Sequence, residues 1–81
     1  MIQKSFAVNN SLEARDVALF VQMASRFRCN INLNIGDKTV NAKSIMGLVS
    51  LGILEGQAIT LIADGADAEQ AIVELYSFMT I

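Results

Sequence analysis

A chain of 81 residues is near the lower size limit for one hydrophobic core, so we expect a single domain over residues 1–81. Hydrophobic residues make up 53% of the chain and charged residues 17%, a balance that favours a folded globule over disorder. The formal net charge of −2, without any basic stripe, argues against direct binding to nucleic acid.

The most apolar run of the sequence does not predict a membrane anchor. It covers residues 45–54 and is interrupted by Gly47, Ser50 and Gly52, so it is too short to cross a bilayer. The first four residues lack the basic-then-apolar pattern of a secretory signal. We therefore expect a soluble, cytoplasmic protein without membrane contact.

Two residue types that carry much of enzyme chemistry are scarce. The chain has no histidine, which removes the commonest general base and the commonest metal ligand. Cys29 is the only cysteine, so no disulfide can form within the chain, and we interpret this residue as a buried thiol. We expect a non-enzymatic protein with no metal and no cofactor.

The first half of the chain predicts a strand, a helix and a hairpin. Apolar residues between positions 2 and 8 suggest a first strand, which the turn-forming residues 9–11 end. Alternating apolar residues on either side of Gly36-Asp37 predict a β-hairpin over residues 31–40. Between them, helical spacing predicts a helix from about residue 14 to residue 26. Its buried stripe is Val17, Phe20, Val21 and Ala24.

The second half predicts a short helix, a strand and a last helix. Ser44 is the expected N-cap of a helix over residues 45–51, and alternation over residues 59–63 predicts the strand. Asp67 and Gln70 resemble a capping box at the start of the last helix. The apolar face of that helix is Ala71, Ile72, Leu75, Phe78 and Met79. The order β-α-β-β-α-β-α predicts an α+β fold in which three helices cover one face of a four-stranded antiparallel sheet.

Two segments are specific enough to indicate a family. Residues 12–18 read Leu-Glu-Ala-Arg-Asp-Val-Ala, and residues 38–48 read Lys-Thr-Val-Asn-Ala-Lys-Ser-Ile-Met-Gly-Leu. Both resemble HPr, the phosphocarrier of the bacterial sugar phosphotransferase system, and the resemblance covers essentially the whole chain. It implies the HPr-like open-faced β-sandwich, in agreement with the predicted elements.

The first of these segments departs from the family at its phosphorylation site. HPr proteins carry the phospho-accepting histidine followed by Ala-Arg-Pro, whereas here Glu13 stands at the histidine position, Arg15 is kept and Asp16 replaces proline. The resemblance therefore implies a Crh-like member that lacks histidine phosphotransfer. Glu13 is then either a fixed anion beside Arg15 or an ordinary helix-end charge. A divergent phosphocarrier that forms an acyl phosphate on Glu13 is the alternative.

The second segment keeps the regulatory serine of the family at Ser44. In Gram-positive members the matching serine is phosphorylated by HPr kinase/phosphorylase, and the phosphorylated form binds a LacI-type catabolite control repressor. The resemblance implies the same two partners here, in carbon catabolite repression. From the residues alone, Ser44 is only a helix N-cap.

Apolar side chains on two helices suggest a docking surface beside these sites. Leu19 and Met23 lie off the buried stripe of the first helix, and Ile45, Met46 and Val49 are spaced i, i+1 and i+4 on the short helix. These side chains could instead complete the small core. The candidates for partner binding are Glu13, Arg15, Leu19, Ile45, Met46 and Val49, with Met23 as a further exposed apolar residue. Another alternative is a structural module that forms a homodimer and is never modified at Ser44.

Overall fold

The computed structural model describes residues 1–80. Its elements are β1 (Ile2–Ala7), α1 (Ala14–Ser25), β2 (Asn30–Ile35), β3 (Lys38–Asn41), α2 (Ile45–Leu51), β4 (Ala58–Asp64) and α3 (Ala68–Thr80). The strands form one antiparallel sheet in the order β1-β4-β2-β3. The predicted α+β fold, with three helices on one face of a four-stranded sheet, is confirmed. No helix within residues 1–80 is long and apolar enough to cross a membrane.

The two central strands separate a buried face from a solvated face. Leu33 of β2 pairs with Leu61 of β4, and both side chains are fully buried under the helices. On the opposite face, the amide of Asn34 donates to the hydroxyl of Thr39 at 2.8 Å. Because one residue of slip would move every apolar side chain to the solvated face, this alternation fixes the register of the sheet.

Each helix contributes an apolar stripe to the core. The stripe predicted for α1 is confirmed, and Phe20 in its centre is fully buried. Leu48 of α2 and Leu75 of α3 are buried beside it. Helix α1 ends at Ser25, with Arg26 as its C-cap, which is one residue earlier than the spacing predicts.

The capping box predicted at the start of α3 is wrong in its partners. The Asp67 carboxylate accepts hydrogen bonds from the backbone N–H groups of Arg28 (2.9 Å) and Cys29 (3.0 Å). The side chain of Gln70 donates along the helix to Glu74 at 3.1 Å. The local pattern predicts that the Asp67 carboxylate caps α3. In the structure it accepts instead from two backbone N–H groups that are distant in sequence.

These bonds belong to a polar clamp that holds the connection between α1 and β2. On its other side, the Lys43 ammonium donates to the carbonyl of Phe27, just after α1, at 2.7 Å. We call Asp67 and Lys43, with the backbone of residues 27–29, the α1–β2 clamp. Gly65 adds a packing constraint, because a Cβ atom there would come within 2.6 Å of the Cys29 Cβ.

The clamp also shifts two titrations. The backbone N–H of Arg28 is the main reason that the pKa of Asp67 lies below its ordinary value, with smaller contributions from hydrogen bonds to Cys29. Burial raises the pKa of the Cys29 thiol, and its hydrogen bond to Asp67 raises it further. Cys29 is the buried thiol that the sequence predicts.

The shifted titration of Asp67 makes the stability of the fold depend on pH. A carboxyl group whose pKa is lower in the folded than in the unfolded chain stabilises the fold above its unfolded pKa and loses that contribution as the pH falls through the folded pKa. We expect Asp67→Asn to lower the free energy of unfolding at pH 7, and this deficit to shrink as the pH falls below about 4. Urea unfolding at a series of pH values measures the difference.

Asp37→Asn is the matched control, since Asp37 is an exposed aspartate in the turn between β2 and β3. It should leave the unfolding curve nearly unchanged at each pH. If the Asp67→Asn deficit stayed constant down to pH 2, the carboxylate would not act through its charge.

Candidate functional site

Position 13 begins helix α1. Glu13 is the N-cap, with extended backbone angles φ −84° and ψ 173°, and its carbonyl accepts the first helical bond from Val17 at 2.9 Å. The Asp16 carboxylate reaches back to the Glu13 backbone N–H at 3.1 Å. This is one half of a capping box, in which the third helical residue satisfies the N–H of the N-cap. The residue that replaces proline therefore stabilises the start of the helix.

Hydrogen bonds connect the segment before α1 to the segment after α2. The backbone N–H of Leu12 donates to the carbonyl of Ile53 at 3.0 Å, and the hydroxyl of Ser11 accepts from the backbone N–H of Glu55 at 2.9 Å. These bonds hold position 13 beside the C-terminal end of α2. The seven residues of α2 span roughly 10 Å. The start of α1, beside the C-terminal end of α2, is therefore about this far from the start of α2.

Glu13 and Arg15 both lie on the surface at the start of α1. Their side chains are exposed and, within residues 1–80, they form no ion pair with each other. The fixed anion that the resemblance suggests at position 13 is therefore a charge in solvent, next to the backbone N–H groups of the first helical turn. The role of either residue in partner binding stays a prediction.

Ser44 is the N-cap of α2, as the sequence predicts. Its hydroxyl oxygen accepts a hydrogen bond from the backbone N–H of Gly47 at 3.1 Å, and its side chain is half-buried. Gly47 leaves space for this hydroxyl, because a Cβ atom there would lie 3.3 Å from the Ser44 Oγ. Gly52 is the C-cap of α2, and its left-handed φ of 67° suits glycine.

The turn before Ser44 is held by further hydrogen bonds. The side chain of Asn41 accepts from the Lys43 backbone N–H at 2.8 Å, and its carbonyl accepts from the Ser44 N–H at 3.0 Å. The Lys43 side chain points to the end of α1, where a cation complements the negative end of the helix dipole. Sequence analysis missed this function, because Phe27 lies 16 residues away and no local pattern connects them.

Four of the predicted apolar contact residues are exposed on α1 and α2, which pack against each other. Met46 is the most exposed at 79%, and the other three are Leu19, Ile45 and Val49. We call these four residues the docking face. Leu54, which follows α2, is also exposed and was not predicted. Met23 is half-buried against the core, so its predicted exposure is wrong.

Within residues 1–80, the acidic side chains and Cys29 do not form a metal-binding group. Among residues 1–80, no three or more histidine, cysteine, aspartate or glutamate side chains are close enough to hold a metal ion. The chemistry that this surface offers consists of a capped serine hydroxyl, a charged helix start and exposed apolar side chains.

Comparison with known proteins gives consistent matches over the whole length. The family model described as "PTS HPr component phosphorylation site" matches residues 2–80. The HPr-like protein Crh of Halalkalibacterium halodurans is 47% identical over 81 residues, which covers 98% of this chain and 96% of the relative.

Two solved structures extend the comparison to the fold. The phosphocarrier protein HPr of Bacillus anthracis superposes with a TM-score of 0.93 at 47% identity, covering 98% of this chain and 96% of that one. The crystal structure of Bacillus subtilis Crh gives a TM-score of 0.79 at 44% identity, covering 98% and 93%. It is described as a dimer with a swapped domain. The chain is thus similar both to a phosphocarrier and to Crh proteins.

The cap at Ser44 predicts a measurable stability change. We expect Ser44→Ala to lower the free energy of unfolding by about 1 kcal/mol, because the Gly47 N–H loses its acceptor. Ser44→Asp should retain most of the stability, since aspartate is also a favoured N-cap. Urea denaturation of the three proteins tests this order.

Ser50→Ala is the matched control within the same helix. Ser50 is exposed, and alanine has the higher helix propensity, so this change should leave stability equal or slightly higher. Equal stability of Ser44→Ala and the wild type would contradict the capping role.

Proposed function

Since the chain belongs to the HPr family, we propose that it acts there as a regulatory, Crh-like protein of carbon catabolite control. Ser44 is phosphorylated by HPr kinase/phosphorylase, and the phosphorylated form binds a LacI-type catabolite control repressor. Histidine phosphotransfer is absent. The observation that carries this proposal is the contrast between a substituted position 13 and an intact segment around Ser44.

The chemistry of position 13 argues against a phosphocarrier. An imidazole forms a reactive phosphoramidate, whereas a glutamate would have to form an acyl phosphate in a site adapted to another group. Asp16 adds a second carboxylate within the same helical turn, and its charge repels an incoming phosphate. Because Asp16 also caps α1, the substitution exchanges phosphate binding for helix stability.

The position of Ser44 suits phosphorylation without refolding. A phosphoserine carries roughly −1.5 to −2 charges at pH 7, and the start of a helix favours negative charge. The Gly47 N–H that now bonds the hydroxyl can bond a phosphate oxygen instead. Modification would therefore change the charge of this surface while the α2 backbone keeps its conformation.

The surroundings of Ser44 indicate how a partner would recognise the modification. The Lys43 ammonium, next to it in sequence, is occupied by the Phe27 carbonyl. We therefore expect cations of the partner to bind the phosphate, which suits a repressor with basic residues at its contact surface. Ile45 and Met46, exposed by 49% and 79%, would supply apolar contact directly beside the charge.

A homodimer is the second candidate, and one observation favours it. Bacillus subtilis Crh, 44% identical to this chain, is described as a dimer with a swapped domain. In this alternative, self-association through an exchanged element is the functional output and Ser44 stays unmodified. Light scattering of the purified chain before and after treatment with the kinase separates it from the regulatory proposal.

The regulatory proposal predicts a specific pattern of phosphorylation. Purified HPr kinase/phosphorylase with ATP should add one phosphate to the wild type and none to Ser44→Ala, as measured by intact-mass spectrometry. Ser50→Ala is the matched control and should accept one phosphate.

Incubation with enzyme I and phosphoenolpyruvate completes the experiment. No label is expected, because the chain contains no histidine. A hydroxylamine-sensitive label that Glu13→Gln abolishes would instead support the divergent phosphocarrier. Absence of any kinase-dependent phosphate would refute the regulatory proposal.

A further inference from the structure

Lys43 is next to Ser44 in the sequence, yet the two side chains make their hydrogen bonds in different places. The Lys43 side chain is half-buried, and its ammonium donates to the Phe27 carbonyl at 2.7 Å, just after α1. The Ser44 hydroxyl accepts from the Gly47 N–H of α2 at 3.1 Å. This dipeptide therefore connects the end of one helix to the start of another.

The backbone around Lys43 has hydrogen bonds of its own. Ala42 is fully buried, and its N–H donates to the Ile31 carbonyl of β2 at 2.9 Å. The Ser44 N–H donates to the Asn41 carbonyl at 3.0 Å. The sheet thus holds the residue before Lys43, and the lysine side chain adds a contact on the α1 side. Ser44 follows directly after these two attachments.

We propose that Lys43 is a positioning residue for the phosphorylation of Ser44. Its bond to the Phe27 carbonyl holds the backbone before α2 against the end of α1, so that the hydroxyl is presented to the kinase in one orientation. This inference rests on the proposed function and names a residue on which the reaction at Ser44 depends.

The group transfer needs such an orientation. The Ser44 oxygen attacks the γ-phosphorus of ATP, the bond from that phosphorus to the bridging oxygen breaks, and ADP leaves with this oxygen. The hydroxyl proton passes to a base of the kinase. Because the attacking and leaving oxygens must be roughly in line, a displaced hydroxyl slows the step.

A phosphate on Ser44 does not draw the Lys43 ammonium away from Phe27. A hydrogen bond from a charged group to a partly buried carbonyl stabilises more than an exposed ion pair between flexible side chains does. The Phe27 carbonyl also lies just beyond the C-terminal end of α1, where the helix dipole favours a cation. The ammonium therefore keeps its place, and the phosphate stays free for cations of a partner.

Lys43→Met tests the positioning role, because it keeps the length of the side chain and removes the ammonium. With HPr kinase/phosphorylase and ATP, we expect kcat to fall about tenfold while KM stays unchanged, since misplacement of a reacting group slows the chemical step. Lys43→Arg keeps a charged donor and should restore most of the rate. Lys38→Met is the matched control, since it removes an exposed lysine of β3 and should react like the wild type.

Hydrogen exchange shows whether the change is local. In Lys43→Met, the Gly47 amide that bonds to the Ser44 hydroxyl should exchange faster than in the wild type. The amide of Leu33, in a central strand of the sheet, should stay strongly protected, which also shows that the variant is folded.

The second pKa of phosphoserine, measured by ³¹P NMR, shows where the ammonium lies after modification. A lysine bound to the phosphate would stabilise the dianion and lower this pKa. We expect equal values in phosphorylated wild type and phosphorylated Lys43→Met, because the ammonium is bound to Phe27 in the first and is absent from the second.

Three results would overturn this role of Lys43. They are an unchanged kcat in Lys43→Met, a rise in KM alone, and a lower phosphoserine pKa in the wild type than in Lys43→Met. Each of them would leave Ser44 as the phosphorylation site. Absence of any phosphate on the wild type would refute the proposed function itself, and the role of Lys43 with it.

Discussion

The α1–β2 clamp orders the connection after α1 and joins it to the segments that lead into α2 and α3. Asp67, before α3, accepts from two backbone N–H groups just before β2, and Lys43, before α2, donates to the carbonyl of Phe27. The connection between α1 and β2 therefore contacts the residues that precede α2 and α3. Since Lys43 directly precedes Ser44, the same contact that completes α1 also sets the beginning of α2.

The two ends of α2 differ in their chemistry. At the C-terminal end, the Leu12 N–H donates to Ile53 and the Ser11 hydroxyl accepts from Glu55, which places the start of α1 with the carboxylates of Glu13 and Asp16 nearby. At the N-terminal end, Ser44 and Gly47 keep a hydroxyl at a helix start with space around it. The two ends of α2 thus share one scaffold and carry different polar groups, carboxylates near one end and a capped hydroxyl at the other.

The features that the sequence could predict are local ones. The stripe of α1, the hairpin over Gly36-Asp37 and the cap at Ser44 each depend on residues within a few positions of one another, and all three are confirmed. The predicted side-chain cap at Asp67 is wrong because backbone N–H groups 38 and 39 residues away bind its carboxylate. Lys43 was recognised within a motif, but its contact with Phe27 depends on the tertiary fold. Met23 was assigned to the surface from periodicity, which cannot show how far α3 covers α1.

We propose that a phosphate on Ser44, together with the docking face, creates a binding surface for a catabolite control repressor. The direct measurement is the affinity of the chain for that repressor by isothermal titration calorimetry, with and without stoichiometric phosphorylation of Ser44. We predict that the phosphorylated chain binds at least about tenfold more tightly, roughly 1.4 kcal/mol in binding free energy. Equal affinity of the two forms would contradict this proposal.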